Sequence, residues 1–123
     1  MGFGEAISSV FRNYVNFEGR APRSEFWYWV LFYILAALVA SVIDYAIAPG
    51  ATVRPLTTLL GLACLLPYLA VDVRRLHDID RSGWWLLIVL IPLIGGIVLL
   101  VWLCMAGTGG PNRFGPDPLA GRG

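Results

Sequence analysis

The chain contains no lysine: its nine basic residues are all arginine. It has a single histidine, His77, and two cysteines, Cys64 and Cys104. Charged residues make up 14% of it, against roughly 25% in an average soluble domain, and the formal net charge is +1. Each shortage excludes something. A net charge near zero gives no global basic field, so no nucleic-acid partner is expected. Both cysteines sit inside apolar runs and form no CxxC pair, so they read as small buried hydrophobes and not as zinc ligands. The opening residues Met1-Gly2-Phe3-Gly4-Glu5 lack a basic stretch followed by an apolar one, and lack the Ser or Thr of a myristoylation motif. Neither a cleaved signal peptide nor an N-terminal lipid is expected. No Gly-x-Ser-x-Gly elbow, phosphate-binding loop or paired-carboxylate pattern occurs, and no cofactor or metal is expected. The exclusive use of arginine suits phosphate recognition, because a guanidinium forks onto phosphate oxygens; a GC-rich genome would produce the same bias.

What the chain has instead is hydrophobic surface. Apolar residues are 58% of its 123 residues and the mean hydropathy is +0.71, so the remainder cannot cover a water-soluble domain. One membrane domain, residues 1–123, is the reading, all-α and polytopic. In residues 1–16, Phe3, Ile7, Val10, Phe11 and Tyr14 recur on one helical face. This predicts an amphipathic helix lying at the headgroup level with its aromatics down; packing on the end of the bundle is the alternative. After a polar connector punctuated by Gly19 and Pro22, residues 26–47 form a first span that opens on an aromatic belt, Phe26-Trp27-Tyr28-Trp29. Asp44, near its far end, is expected to reach water. Residues 56–73 form a second span interrupted by Pro67, followed by the densest charge cluster of the chain. Residues 84–106 are apolar throughout, but Pro92, Gly95 and Gly96 break their middle. They predict either a kinked span or a re-entrant hairpin. Residues 107–123 form a Gly/Pro-rich tail in which Phe114 plugs an apolar hollow and Asn112 caps backbone groups.

Arginine marks the cytoplasmic side of a membrane protein. Arg12, Arg20 and Arg23 flank the first span, Arg74, Arg75 and Arg81 follow the second, and Arg113 and Arg122 lie in the tail; the first loop has Arg54 only. The N-terminus and second loop are therefore expected inside. A re-entrant third segment brings the tail inside as well and obeys the rule better. Against it, backbone turning at mid-membrane depth needs cover from neighbouring protein.

Three stretches stand out in series: Phe17-Glu-Gly-Arg-Ala-Pro-Arg-Ser-Glu-Phe-Trp27, Arg74-Arg-Leu-His-Asp-Ile-Asp-Arg-Ser-Gly-Trp-Trp85 and Gly107-Thr-Gly-Gly-Pro-Asn-Arg-Phe-Gly-Pro-Asp-Pro118. In this order and spacing the chain resembles a bacterial inner-membrane family known as domain of unknown function 805, over nearly its whole length. The resemblance implies a small polytopic protein of the inner membrane. It carries no activity or ligand.

The polar residues of these stretches are the candidate ligand-binding or structural cluster: Arg20, Arg23, Glu25, Asp72, Arg74, Arg75, His77, Asp78, Asp80, Asn112 and Asp117. On a continuing helix Arg74 and Asp78 are i,i+4 neighbours and Asp72 and Arg75 are i,i+3 neighbours. Asp72 borders the apolar run and calls for a partner, which Arg20 or Arg23 could supply. The plainer reading is that the cluster only fixes loop geometry. His77 could act as a base or ligand beside Asp78 and Asp80, although a lone interfacial histidine is more often structural. Three functions compete. The first is a non-catalytic membrane protein acting by association with lipid, a second copy or another membrane protein at the cytoplasmic face. The second is binding or transport of an anionic lipid headgroup or small phosphorylated ligand through the Arg/Asp/His cluster. The third is a channel or carrier, which the near-absence of polar residues in the spans disfavours unless an oligomer lines the path.

Overall fold

The computed structural model describes residues 2–119, and its regular elements are helices. They are α1 (Phe3–Arg12), α2 (Arg23–Ile47), α3 (Pro55–Asp78), a 3₁₀ helix (Gly83–Leu90) and α4 (Ile94–Cys104). The all-helical membrane architecture read from the sequence is the one observed. Met1 and residues 120–123, which include Arg122, lie outside the described residues.

The two long helices have 25 and 24 residues. At about 1.5 Å per residue each is roughly 36–38 Å long, a turn more than the ~30 Å hydrocarbon core of a bilayer. Their flanks are apolar and exposed, as at Leu38, Val42, Leu59 and Leu62, which is a surface suited to lipid. Both candidate spans carry few charges, and those lie near the helix ends. Pro55 opens α3 at its first position, where its missing N–H is of no consequence. Gly50, with φ +84°, turns the chain between the two helices.

Two polar side chains repair the backbone of α3. Pro67 lies inside the helix and cannot donate to the carbonyl of Ala63, four residues earlier. That carbonyl accepts instead from the Tyr14 hydroxyl. At the start of α3, Arg54 supplies no side-chain cap. Asp44 does so from the preceding helix: Oδ1 accepts from Leu56 N (3.1 Å), and Oδ2 from Thr57 N and Thr57 Oγ1 (both 2.9 Å). Asp44 is 5% exposed. The expectation that it reaches water is thus corrected, because the uncapped N–H groups of α3 make a better partner than solvent.

The amphipathic helix α1 turns its apolar face onto the sides of α2 and α3, burying Ala6, Ser9 and Val10. Phe11 meets Trp29 and Phe32 edge-on, at centroid separations of 5.5 and 6.2 Å. Phe3 and Phe11 stay exposed on their outer sides. The core joins Val10, Ala21, Phe26, Trp29, Cys64, Val71 and Leu103.

The third apolar segment reverses. The 3₁₀ helix begins five residues after α3, at Gly83, whose backbone runs against Val73. Its start is capped by the Ser82 hydroxyl, which accepts from Trp84 N. The chain then turns at Pro92-Leu93-Ile94: Leu93 has φ +64° and ψ −60°, and Ile94 N donates to the Pro92 carbonyl at 2.7 Å. This is a γ-turn of the rare positive-φ form. A Cβ on Gly95 would collide with the Ile88 carbonyl, so the close approach of the two arms requires glycine there. The arms have 8 and 11 residues. At about 2.0 and 1.5 Å per residue each reaches only ~16 Å, half a bilayer core. α4 ends back beside α3, so the segment folds as a hairpin and not as one kinked helix.

Candidate functional site

The reversal brings all three polar stretches to one end of the bundle. Arg74, Arg75 and Asp78 fall on neighbouring helical positions of the last turns of α3, facing the connector before α2, the first turn of α2 and the chain after α4. Two carboxylates organise the layer. Glu25 is buried and accepts from Arg74 Nη1 (2.6 Å) and from Ser9 Oγ of α1 (2.8 Å). Asp78 accepts from Arg20 Nε on Oδ1 (3.0 Å) and from Arg75 Nη1 on Oδ2 (2.9 Å). The side chains of Arg20, Asp78 and Arg75 are 1%, 3% and 0% exposed, so the trio is desolvated.

Both arginines of that trio also bind backbone. Arg20 Nη1 donates to the Gly110 carbonyl (2.7 Å) and Nη2 to the Thr108 carbonyl (2.6 Å). Arg75 Nε donates to the Leu103 carbonyl (3.3 Å) and Nη2 to the Met105 carbonyl. Every guanidinium nitrogen of the two residues is thereby occupied by protein. Together they hold residues 103–110 against the end of α3. Thr108 N donates to the Asp78 carbonyl (2.7 Å), and a side chain at Gly107 would strike the Asp78 carboxylate. Trp27 Nε1 and Arg23 Nη1 reach the Leu103 and Cys104 carbonyls, at 3.2 and 3.3 Å.

A second set of contacts docks the tail. His77 Nδ1 lies 2.9 Å from the Gly19 carbonyl; a carbonyl only accepts, so the ring proton sits on Nδ1. The other face of the imidazole stacks on Phe114, with centroids 4.0 Å apart and planes within 2°. Asn112 Nδ2 donates to the His77 carbonyl (2.9 Å), and its Oδ1 accepts from Phe114 N (2.9 Å). Asp117 accepts from Gly110 N (3.0 Å) and Leu119 N (2.9 Å). These two N–H groups, Leu119 first, hold its carboxyl below the usual range.

The two ion pairs anticipated within α3 do not form. Arg74 turns to Glu25 of α2, and Arg75 pairs with Asp78, three residues along its own helix. Asp72 stays outside the network: Oδ1 is buried with no hydrogen bond, and neither Arg20 nor Arg23 reaches it. Asp80 leaves the layer altogether. It takes φ +60° and pairs with Arg113 on the surface at 3.3 Å, where both side chains are about half exposed, a contact of little energy. Ser9, Trp27 and Thr108 belong to the layer although sequence reasoning passed over them. Ser9 lies beside the apolar face of α1, and only the docking of α1 makes it a donor to Glu25. Among the described residues, no three of His, Cys, Asp and Glu stand close enough to hold a metal.

The model of the family described as protein of unknown function DUF805 matches residues 14–116. The inner membrane protein YhaH of Escherichia coli K-12 is 48% identical over 113 residues, spanning 89% of this chain and 92% of that one. Inner membrane protein YhaI of the same strain is 46% identical over 113 residues, spanning 92% and 94%. The uncharacterized protein YiiR of the same strain is 31% identical over 128 residues, spanning 83% and 85%. No solved structure matches.

Proposed function

The chain belongs to the DUF805 family, and from this we propose that it is a multi-pass inner-membrane protein without catalytic activity, acting by association with lipid or a protein partner at its cytoplasmic face. The orientation is supported by charge. The arginines of the N-terminal flank, of the end of α3 and of the tail gather toward one end, while Arg54 alone among the described residues marks the other. The membrane is supported by the exposed apolar flanks of α2, α3 and the hairpin and by the likeness to the inner membrane proteins YhaH and YhaI.

One observation carries the non-catalytic reading. Arg20 and Arg75, the most deeply placed cations of the cluster, have all their nitrogens on protein acceptors. A fork held on all three nitrogens, with its side chain 0–1% exposed, is closed to a substrate or a transition state. The layer is a clamp: it fastens the re-entrant hairpin and the tail to the two spans. Of the ligand-binding alternative, the part that rests on Arg23 keeps an exposed cation; Arg74 keeps two nitrogens without a hydrogen bond but is buried on Glu25.

The orientation is tested by labelling spheroplasts with a membrane-impermeant maleimide, using Ala51→Cys and Gly109→Cys in a background carrying Cys64→Ser and Cys104→Ser. Nothing lies within 4 Å of a Cβ at Gly109, so the second substitution is tolerated sterically. Ala51→Cys should label in intact spheroplasts and Gly109→Cys only after lysis. Labelling of both from outside removes the re-entrant arrangement; the reversed pattern removes the orientation.

A further inference from the structure

Two cavities meet at Arg23. One, of about 520 Å³, is walled by Pro22, Arg23 and Ser24 of the first span's entry, by Thr108 and Gly109 of the tail, and by the carboxylates of Asp78 and Asp117. The other, of about 400 Å³, is walled by Arg23 and Ser24 again and by Trp27, Tyr28 and Cys104. The first holds charged side chains on a largely apolar wall, the second is aromatic, and both lie in the range of small-molecule sites.

Arg23 differs from the other arginines of the layer. Arg20, Arg74 and Arg75 are buried against carboxylates. Arg23 is exposed, has no carboxylate partner among the described residues, and gives only Nη1 to the Cys104 carbonyl at a long 3.3 Å. Its other nitrogens make no hydrogen bond among the described residues, and the residue lines both cavities. The floor below is held still: Trp27 Nε1 is tied to Leu103 and its ring meets Phe26 edge-on, while Tyr28 meets Phe3 edge-on. Across the first cavity stand two carboxylates of unequal standing. Asp78 is neutralised by Arg20 and Arg75. Asp117 forms no ion pair among the described residues, although the charge of Arg20 acts on it; its oxygens each accept one backbone N–H and keep a further lone pair.

We propose that these joined cavities bind one glycerophospholipid with an amine headgroup: its phosphate on Arg23, its ammonium on Asp117, and its glycerol and acyl attachment along Trp27 and Tyr28. A phosphate needs a cation with free donors. A carboxylate on the wall of the same cavity repels a purely anionic headgroup and selects one that ends in N–H. An aromatic shelf opening beside the phosphate position suits a ligand with a lipid tail, and a soluble phosphate ester would leave it empty. The inference rests on the reading that this end of the bundle lies at the headgroup level.

Native mass spectrometry of the full chain in dodecyl maltoside micelles, with added lipid, counts the lipids bound. Dioleoyl phosphatidylethanolamine, phosphatidylcholine and phosphatidylglycerol are compared, with soluble phosphoethanolamine as the fourth arm. Phosphatidylethanolamine should occupy one site about tenfold more tightly than phosphatidylcholine, which carries the same phosphate but no N–H donor. Arg23→Ala should weaken it about tenfold, with Arg23→Lys in between. Asp117→Asn should leave phosphatidylethanolamine and phosphatidylcholine equal, and Arg113→Ala, distant from both cavities, should change nothing. Equal binding of the three lipids to the wild type, or an Arg23→Ala variant that remains helical by circular dichroism and retains phosphatidylethanolamine, would overturn the site. Tighter binding of phosphatidylglycerol would overturn the amine assignment. Competition by phosphoethanolamine at the lipid's own affinity would overturn the lipid as source. Micelles have no sidedness, so these results do not depend on the maleimide experiment, and failure of either is told apart from failure of the other.

Discussion

If the ionic layer is a clamp, Asp78→Asn should loosen the hairpin and tail before it disturbs the spans. The aspartate gives one oxygen to each of two buried arginines. Asparagine is the same size but keeps a single acceptor oxygen, and its NH₂ must point at a guanidinium. The trio's charge rises by one in a place where Arg20 and Arg75 are 1% and 0% exposed. Removing one partner of a buried pair costs about 3–5 kcal/mol, and with two cations stranded the upper part of that range applies. Total stabilities of about 5–15 kcal/mol leave the variant folded but weakened. The milder Arg20→Lys keeps the charge and loses the fork onto Thr108 and Gly110, so it covers the case in which Asp78→Asn does not fold. Unfolding is followed in mild micelles titrated with sodium dodecyl sulfate by far-ultraviolet circular dichroism, and tail release by trypsin cleavage at Arg113. Cleavage at Arg113 should accelerate at detergent ratios where helix content is still that of the wild type. Asp80→Asn, which touches only the half-exposed Arg113, should cost no more than about 1 kcal/mol. An Asp78→Asn variant within about 1 kcal/mol of the wild type, with its tail equally protected, would refute the clamp.

Tyr14→Phe should cost about 1–2 kcal/mol, because the Ala63 carbonyl loses the donor that replaces the Pro67 N–H; in a Pro67→Ala background, where the helix can supply that bond itself, the same change should cost clearly less, and equal losses in both backgrounds would disprove the pairing. Asp44→Ala should cost about 0.5–2 kcal/mol by uncapping α3, as read from the same unfolding titration. The tail should also respond to acid. The folded carboxyl of Asp117 lies below its ordinary value, so its contribution is fully present above about pH 4, the unfolded value, and fades as pH falls through the folded one. Trypsin is inactive there, so tail release is read by hydrogen exchange at Thr108–Leu119 between pH 6 and pH 3; protection that is flat across this range in the wild type and in Asp117→Asn alike would remove Asp117 from the docking.

How much of this arrangement was legible in the residues depends on the range over which each signal acts. Unbroken apolar runs and the Pro92, Gly95, Gly96 interruption are local features. They announced two long helices and a broken third segment, and the arginine distribution favoured a segment that turns back. Partner choice within the layer was not legible. Reading Arg74 with Asp78 and Asp72 with Arg75 kept every partner on α3, where only the Arg75–Asp78 pair forms. The rotation of α3 against α2 is set by packing of Phe26, Trp29 and Val71, and it turns Arg74 toward Glu25 instead. Asp44 was misread for a related reason. Its neighbours in sequence suggest an interface, but its ligands are the first-turn N–H groups of the next helix, which become available only because Arg54 does not cap.

The use of arginine alone follows from this geometry more directly than from phosphate chemistry. Arg20 bridges one carboxylate and two carbonyls of the tail, and Arg75 one carboxylate and two carbonyls at the end of α4. Only a planar cation with donors on three nitrogens can do this from one position; an ammonium is a single point of charge. A half-depth hairpin has no second water-facing end to anchor it, and its γ-turn lies among exposed leucines and isoleucines. Its place is therefore fixed from the one end that returns to the polar layer. The three conspicuous stretches of the sequence then serve a single mechanical purpose: the first supplies Arg20, the second Arg75 and Asp78, and the third the carbonyls that both arginines grip. A hairpin freed from that grip would keep its apolar arms in the lipid but lose its register against α3. Arg20→Lys should therefore change the contacts of Trp85 and Trp102, which meet edge-on in the hairpin, far less than those of Leu103 with Trp27.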